Sequence, residues 1–165
     1  MRLGFSALDL PIMSSPFKRP ESILVVIYTA GGEALMLRRT RPAGFWQSVT
    51  GSLGWGESPR HAAERELFEE TGLQAQGRLN DCRRTVTFPI LPEWRARYAP
   101  GVRFNREHWF LYRLPGRRLI RLNPEEHSEY RWLTLTRAAG LASSWTNRNA
   151  LLSLVQSVAS VGHIP

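Results

Sequence analysis

Between Gly51 and Leu73 the chain reads GSLGWGESPRHAAERELFEETGL, which sets out Glu57, then Arg65 and Glu66, then Glu69 and Glu70. Glutamates spaced by three and four residues share one face of a helix, so Glu66, Glu69 and Glu70 would bring like charges together. Arg65, four residues before Glu69, neutralises only part of that charge. A set of oxygen donors left in excess suits Mg²⁺ or Mn²⁺ rather than zinc. Glutamate-rich helix faces are usually just solvated, and spacing alone would favour that reading. The entry to this one differs: Gly51, Gly54 and Gly56 lie just before it, allowing tight turns and close approach of a ligand to the backbone. Loop, helix and carboxylates together point to a metal–phosphate site.

Such a site needs a helix with defined ends. Ser58 is a good N-cap, Pro59 suits the first helical position and Gly72 suits a left-handed stop, so a helix is predicted over 59–71. Phe45 to Thr50 reads as a short strand feeding the glycine loop, which would aim backbone N–H groups at the same place. Ser22 to Tyr28 is a continuous aliphatic run typical of a strand buried on both faces, and Gly31-Gly32 turns it into a hairpin with Ala34 to Arg39. Cys82 to Ile90 alternates as a strand that ends at Pro89 or lies at an edge.

Glu107 to Leu114 and Tyr130 to Leu133 complete the strands. From spacing, the acidic stretch 122–129 is a polar loop. A short helix is expected over 134–142, and a last one, capped within 143–148, runs to about Ser160 with Ala150, Leu151, Leu154, Val155 and Val158 facing a core. Mixed strands with interspersed helices predict an α+β architecture, a mixed sheet between helical layers.

With 165 residues and 42% hydrophobic content the chain suits a single domain, placed at 17–165, preceded by a loosely ordered leader over 1–16 in which Met13 is an alternative start. A formal charge of +8 implies attraction to polyanions without choosing among them. The arginines and aromatics of 91–105 read as a functional loop, and nucleic-acid binding is not expected because no nucleic-acid module is recognisable. A lone cysteine, Cys82, excludes an internal disulfide and favours a reducing compartment. No apolar run reaches transmembrane length and no signal-peptide design is present, so no membrane association and a cytoplasmic location are expected.

The pattern from Gly51 to Leu73, G-x5-E-x7-R-E-U-x-E-E-x-G-U with U aliphatic, is complete and is that of the Nudix box. Beyond it, the segments FKRPESILVVIY (17–28), LMLRR (35–39), FWQSVTGS (45–52), DCRRTVTF (81–88), RYAPGV (97–102) and SSWTNRNA (143–150) resemble one Nudix family, the bacterial dihydroneopterin triphosphate pyrophosphohydrolases of folate biosynthesis. The similarity spans roughly 17 to 155, and FWQSVTGS and SWTNR discriminate more sharply than the box itself.

The resemblance implies the Nudix α/β/α fold and a Mg²⁺-dependent conversion of dihydroneopterin triphosphate to the monophosphate and pyrophosphate, with Mn²⁺ as a possible substitute. Glu66 and Glu70 match metal ligands, Glu69 is a further box carboxylate, and Glu126 matches a metal-binding glutamate outside the box. Arg65 would orient the carboxylates, and Glu66 or Glu69 would take the proton of the attacking water. Lys18, Arg39, Thr50, the segment Phe88, Pro89, Ile90 and Leu91, and Ser144 match positions that contact a small-molecule triphosphate, with Phe88 a candidate to stack on the pterin. Pro89 departs from an acidic residue there, and the leader has no counterpart. Two other readings stay open: a sister enzyme for dATP or an oxidised purine nucleotide, and a non-catalytic module binding RNA or protein. Oligomeric state is not legible.

Overall fold

The computed structural model describes residues 15–161, with side chains through Val158, so most of the expected leader, Met13 included, lies outside the described residues. Its middle layer is one mixed sheet of seven strands. Strand β1 (Glu21–Thr29) runs through the centre because Ile23 to Ile27 are all buried and need cover on both faces. It pairs in parallel along its length with β6 (Phe104–Leu114), which pairs antiparallel with β5 (Leu79–Pro89). Among the described residues β5 has no second neighbour, and the strand ends at Pro89 as an edge proline should. Its ladder breaks between Asp81 and Thr85, where Arg83 takes φ 50° and its N–H donates to Asp81 Oδ1 at 2.7 Å.

The expected hairpin forms only at its closed end. Strand β2 (Glu33–Arg39) meets β1 at one registered pair, Tyr28 and Ala34, and then diverges from it, while its other edge pairs along its length with β7 (His127–Thr134). One straight strand cannot hydrogen-bond to two diverging neighbours, so the segment expected as a single strand over 45–50 is split. Strand β3 (Trp46–Gln47) lies against β2, β4 (Val49–Ser52) lies against β1, and Ser48 is the crossing point. The start of β7 at His127 also takes in the end of the stretch expected to be a polar loop.

Alternation along the strands feeds two cores, so the expected sandwich of helices about a mixed sheet forms. Ile23, Val25, Ile27, Leu35, Leu37 and Phe110 pack against α1 (Pro59–Thr71) through Ala62, Ala63 and Leu67. Leu24, Val26, Met36 and Trp109 face α2 (Leu135–Leu141) and α3 (Trp145–Val161) through Ala138, Ala139, Leu151 and Leu154. Full burial of Leu67 contributes about 2 kcal/mol, more than any surface pair on the same helix. The periodicity of α3 over-reached at its end: Val155 packs only partly and Val158 is 52% exposed, because beyond Val155 none of the described side chains of that helix is buried.

Candidate active site

Helix α1 has the ends its sequence predicts. Ser58 Oγ accepts the His61 N–H at 3.2 Å, and Gly72 adopts φ 74° while its N–H reaches the Phe68 carbonyl at 2.8 Å. The glycine loop before it is held by side chains at both ends. Arg65 donates to Glu57 Oε1 and Oε2, each at 2.9 Å, and to the Ser52 carbonyl at 3.1 Å. Glu57 Oε2 also accepts the Gly54 N–H at 2.8 Å. From β1's side, Arg19 donates to the Gly54 and Glu57 carbonyls, and Trp55 Nε1 to the Phe17 carbonyl. A bidentate guanidinium–carboxylate pair is rigid in a way a lysine contact is not.

With the loop fixed, the helix's inward face carries Glu66 and Glu70, 9% and 2% exposed. Glu69 sits a hundred degrees round from Glu70 and is exposed, its Oε2 accepting from Arg65 at 3.3 Å, so the expected three-carboxylate face is a two-carboxylate face with a flank. Glu66 lies against Gly51 so closely that a Cβ there would come within 2.1 Å of the carboxylate, which explains the glycine at that position. Its Oε1 accepts from Arg65 at 2.6 Å.

Glu126 arrives from the opposite side, in the turn before β7. The turn is tied to the end of β2, where the Thr40 N–H reaches the Glu126 carbonyl at 2.8 Å, and Asn123 Nδ2 donates to Glu126 Oε1 at 3.1 Å. One ligand atom each from Glu70, Glu126 and His127 lies within 4.8 Å of the others. Glu70 Oε2 is buried, without a hydrogen-bond partner among the described residues.

The electrostatics follow from that crowding. Burial, then the neighbouring charges of Glu66 and Glu126, push the Glu70 carboxyl well above its ordinary value, against a Thr50 backbone hydrogen bond and Arg39. Burial likewise raises Glu66, with Arg65 opposing. For His127, burial and the charge of Arg39 lower the imidazole to about 4, so the ring is neutral. Arg65 is shared by Glu57, Glu66 and Glu69, leaving the Glu70–Glu126 side short of positive charge. A divalent cation fits this donor set: an orphaned buried oxygen, converging carboxylates and unbalanced negative charge.

Lys18 and Arg39 bring cations to the same place. Lys18 Nζ donates to Ser52 Oγ at 3.3 Å, and partial burial of the ammonium, then Arg97 and Arg39, lower its pKa while Glu66 acts the other way. Arg39 lies opposite His127 in the sheet with its guanidinium 5.9 Å from the Phe45 ring. Thr50 is on β4 directly before Gly51. The other residues expected to meet substrate are arranged less uniformly. Phe88 is half-buried, Pro89 and Leu91 are exposed, and the Ile90 side chain is buried with its N–H bonded to the Arg103 carbonyl, so of that segment Ile90 has no free side chain to offer. Ser144 caps α3, its Oγ accepting the Asn147 N–H at 3.1 Å. Beside Phe17 a depression of about 400 Å³ is lined by Arg95, Tyr98 and Arg103, and none of the carboxylates lines it.

Residue-type reasoning missed Glu57 as the anchor of Arg65, His127 beside Glu126, and Glu107. The last is buried on β6, accepts from Trp109 Nε1 at 3.0 Å, and has its carboxyl raised by burial against hydrogen bonds from Trp109 and Thr146. Glu57 follows Gly51 after five intervening residues and is readable from that spacing; the other two are single residues whose surroundings come from distant strands and helices.

The chain matches the NUDIX domain model over residues 18–154. It is 47% identical over 147 residues to the dihydroneopterin triphosphate diphosphatase of Escherichia coli (strain K12), covering 87% of this chain and 97% of that protein. Similarity to the dihydroneopterin triphosphate diphosphatase of Haemophilus influenzae is 37% over 139 residues, covering 82% and 87%. The solved structure of the E. coli dihydroneopterin triphosphate pyrophosphohydrolase superposes with a TM-score of 0.78 at 46% identity, covering 87% of this chain and 99% of that one.

Proposed function

The chain belongs to the NUDIX family, and on that premise we propose that it hydrolyses dihydroneopterin triphosphate to dihydroneopterin monophosphate and pyrophosphate in a Mg²⁺-dependent reaction of folate biosynthesis. The observation that carries the catalytic part is the convergence of the buried Glu70, one of whose oxygens has no hydrogen-bond partner among the described residues, with the exposed Glu126, beside Lys18 and Arg39. The pterin substrate is supported by similarity to named diphosphatases over most of both chains.

Glu70, Glu126 and Glu66 would hold the cation, with Glu69 on the exposed flank available to a further one. When bound, a divalent cation supplies positive charge to phosphate oxygens and lowers the pKa of a nearby water. Lys18 and Arg39 bind the phosphate chain and offset the charge that grows on the leaving pyrophosphate. Of the two expected bases, Glu66 is the better placed: it is buried and faces Gly51 at the helix–loop junction, whereas Glu69 is solvated. Arg65 holds Glu66 in orientation through the same guanidinium that pins Glu57. The pterin lies against aromatic side chains, with Phe88 among them.

A reducing cytoplasmic setting accords with the lone, half-buried Cys82, and no helix among the described residues is long and apolar enough to cross a membrane.

The test is pyrophosphate release from dihydroneopterin triphosphate against dATP and oxidised purine triphosphates, with and without Mg²⁺. The expected result is the highest kcat/KM for the pterin and loss of release on chelation. A purine nucleotide turned over more efficiently would replace this substrate with that one, and no release from any triphosphate would leave a binding module. Glu70→Gln is expected to keep the fold and lower kcat by at least about a hundredfold; full turnover in that variant would remove Glu70 from the mechanism.

A further inference from the structure

We propose that the His127 imidazole is a nitrogen ligand of the cation held by Glu70 and Glu126, making a mixed nitrogen–oxygen site that favours a first-row transition ion such as Mn²⁺ over Mg²⁺. This rests on the reading above that the acidic cluster binds a divalent cation.

The first observation is an accounting failure. His127 is 2% exposed, and among the described residues neither Nδ1 nor Nε2 has a hydrogen-bond partner. Buried imidazoles ordinarily satisfy at least their N–H, and leaving both nitrogens bare costs free energy with nothing in return. The second observation is where the bare atoms lie. A His127 ring nitrogen, a Glu70 oxygen and a Glu126 oxygen are mutually within 4.8 Å, and Glu70 Oε2 is itself buried and unpartnered. Had the ring simply served as a hydrogen-bond partner to Glu70, each would have satisfied the other. Instead both are left open in the same small region, an arrangement that suits ligand atoms converging on one cation.

The backbone holds this ring in place. His127 opens β7 opposite Arg39, and its N–H is bonded to the Asn123 carbonyl at 2.9 Å. Residue 126 is likewise tied to Thr40. The imidazole therefore needs no rearrangement of the chain to serve as a ligand. An imidazole among carboxylates changes selectivity. Mg²⁺ takes oxygen ligands and keeps its waters, whereas the later divalent ions accept nitrogen readily, with affinity rising from Mn²⁺ along the series.

Electron spin-echo envelope modulation of the full-length protein loaded with Mn²⁺ tests the assignment without reference to turnover. The expected spectrum shows ¹⁴N modulation, replaced by ¹⁵N when the protein is made with [¹⁵N]histidine, and no such modulation in His127→Gln. Titration should show Mn²⁺ affinity reduced at least about tenfold in that variant, with Mg²⁺ affinity nearly unchanged. Tight Mn²⁺ binding without nitrogen modulation, or modulation that survives in His127→Gln, overturns the proposal while leaving the cation reading intact. Failure of Mn²⁺ to bind at all overturns both. Should His127→Gln not fold, the labelled wild-type spectrum still decides, since among the described residues His127 is the one imidazole in this cluster.

Discussion

At the scale of single residues, two kinds of position control this site, and only one is visible in the order of amino acids. Gly51 is of the visible kind: its place before the helix is part of a spaced pattern, and the structure gives the reason in a 2.1 Å approach of any Cβ to Glu66. Gly51→Ala is expected to displace the Glu66 carboxylate and lower kcat by about a hundredfold, at a stability cost of about 1–3 kcal/mol. Kinetics beside thermal unfolding would check this; an unaltered kcat would mean that Glu66 need not stay where it is.

Glu107 is of the other kind. Nothing near it in sequence marks it, because its Trp109 and Thr146 contacts depend on β6 and α3 having already packed together. Its carboxyl is raised in the folded protein, chiefly by burial, so folding opposes ionisation there. The contribution to stability is greatest below the unfolded-state pKa and is lost as pH rises through the folded-state value. Glu107→Gln should therefore gain on the wild type as pH goes from 4 to 8 in paired denaturant titrations. A stability difference flat across that range would show that the carboxyl is not held above its ordinary value.

Elements were legible where their signals are local. The cap, the first-turn proline and the terminal glycine of α1 lie within its own span, and its bounds came out as read. The hairpin did not, since whether two strands stay paired past their turn depends on what else competes for their facing edges, here β4 on β1 and β3 on β2. The step at Ser48 belongs to that competition. Asn147, 1% exposed on α3, accepts the Ser48 N–H at 2.7 Å and donates to Ser48 Oγ at 2.8 Å, so a helix nearly a hundred residues away fixes the crossing point that leads to Thr50 and Gly51. Replacing it by alanine strands a buried N–H and hydroxyl, and Asn147→Ala is expected to cost about 2–3 kcal/mol. Urea unfolding with an unchanged slope and a lowered midpoint would register that loss; an unmoved midpoint would show that water or a neighbour replaces the amide.

For the molecule as a whole, a formal charge of +8 surrounds a site whose own carboxylates are in excess. The general field attracts a polyphosphate, while Lys18 and Arg39 give it a local target. Raising ionic strength from about 0.05 to 0.3 M at fixed free Mg²⁺ should raise KM severalfold with kcat nearly constant, because the Debye length shrinks to a few ångströms. A KM indifferent to salt would confine the attraction to contacts made after docking.

The break in β5 matters beyond its own ladder. Only Leu79 to Asp81 and Thr85 to Pro89 are in register with β6, and the segment between them is turned out of line at Arg83. A foreign strand approaching that open border would find two short docking lengths separated by arginines and finished by a proline, too little for continuous pairing. The border of the sheet that no other described strand covers is thus a poor template on which copies of the chain could stack.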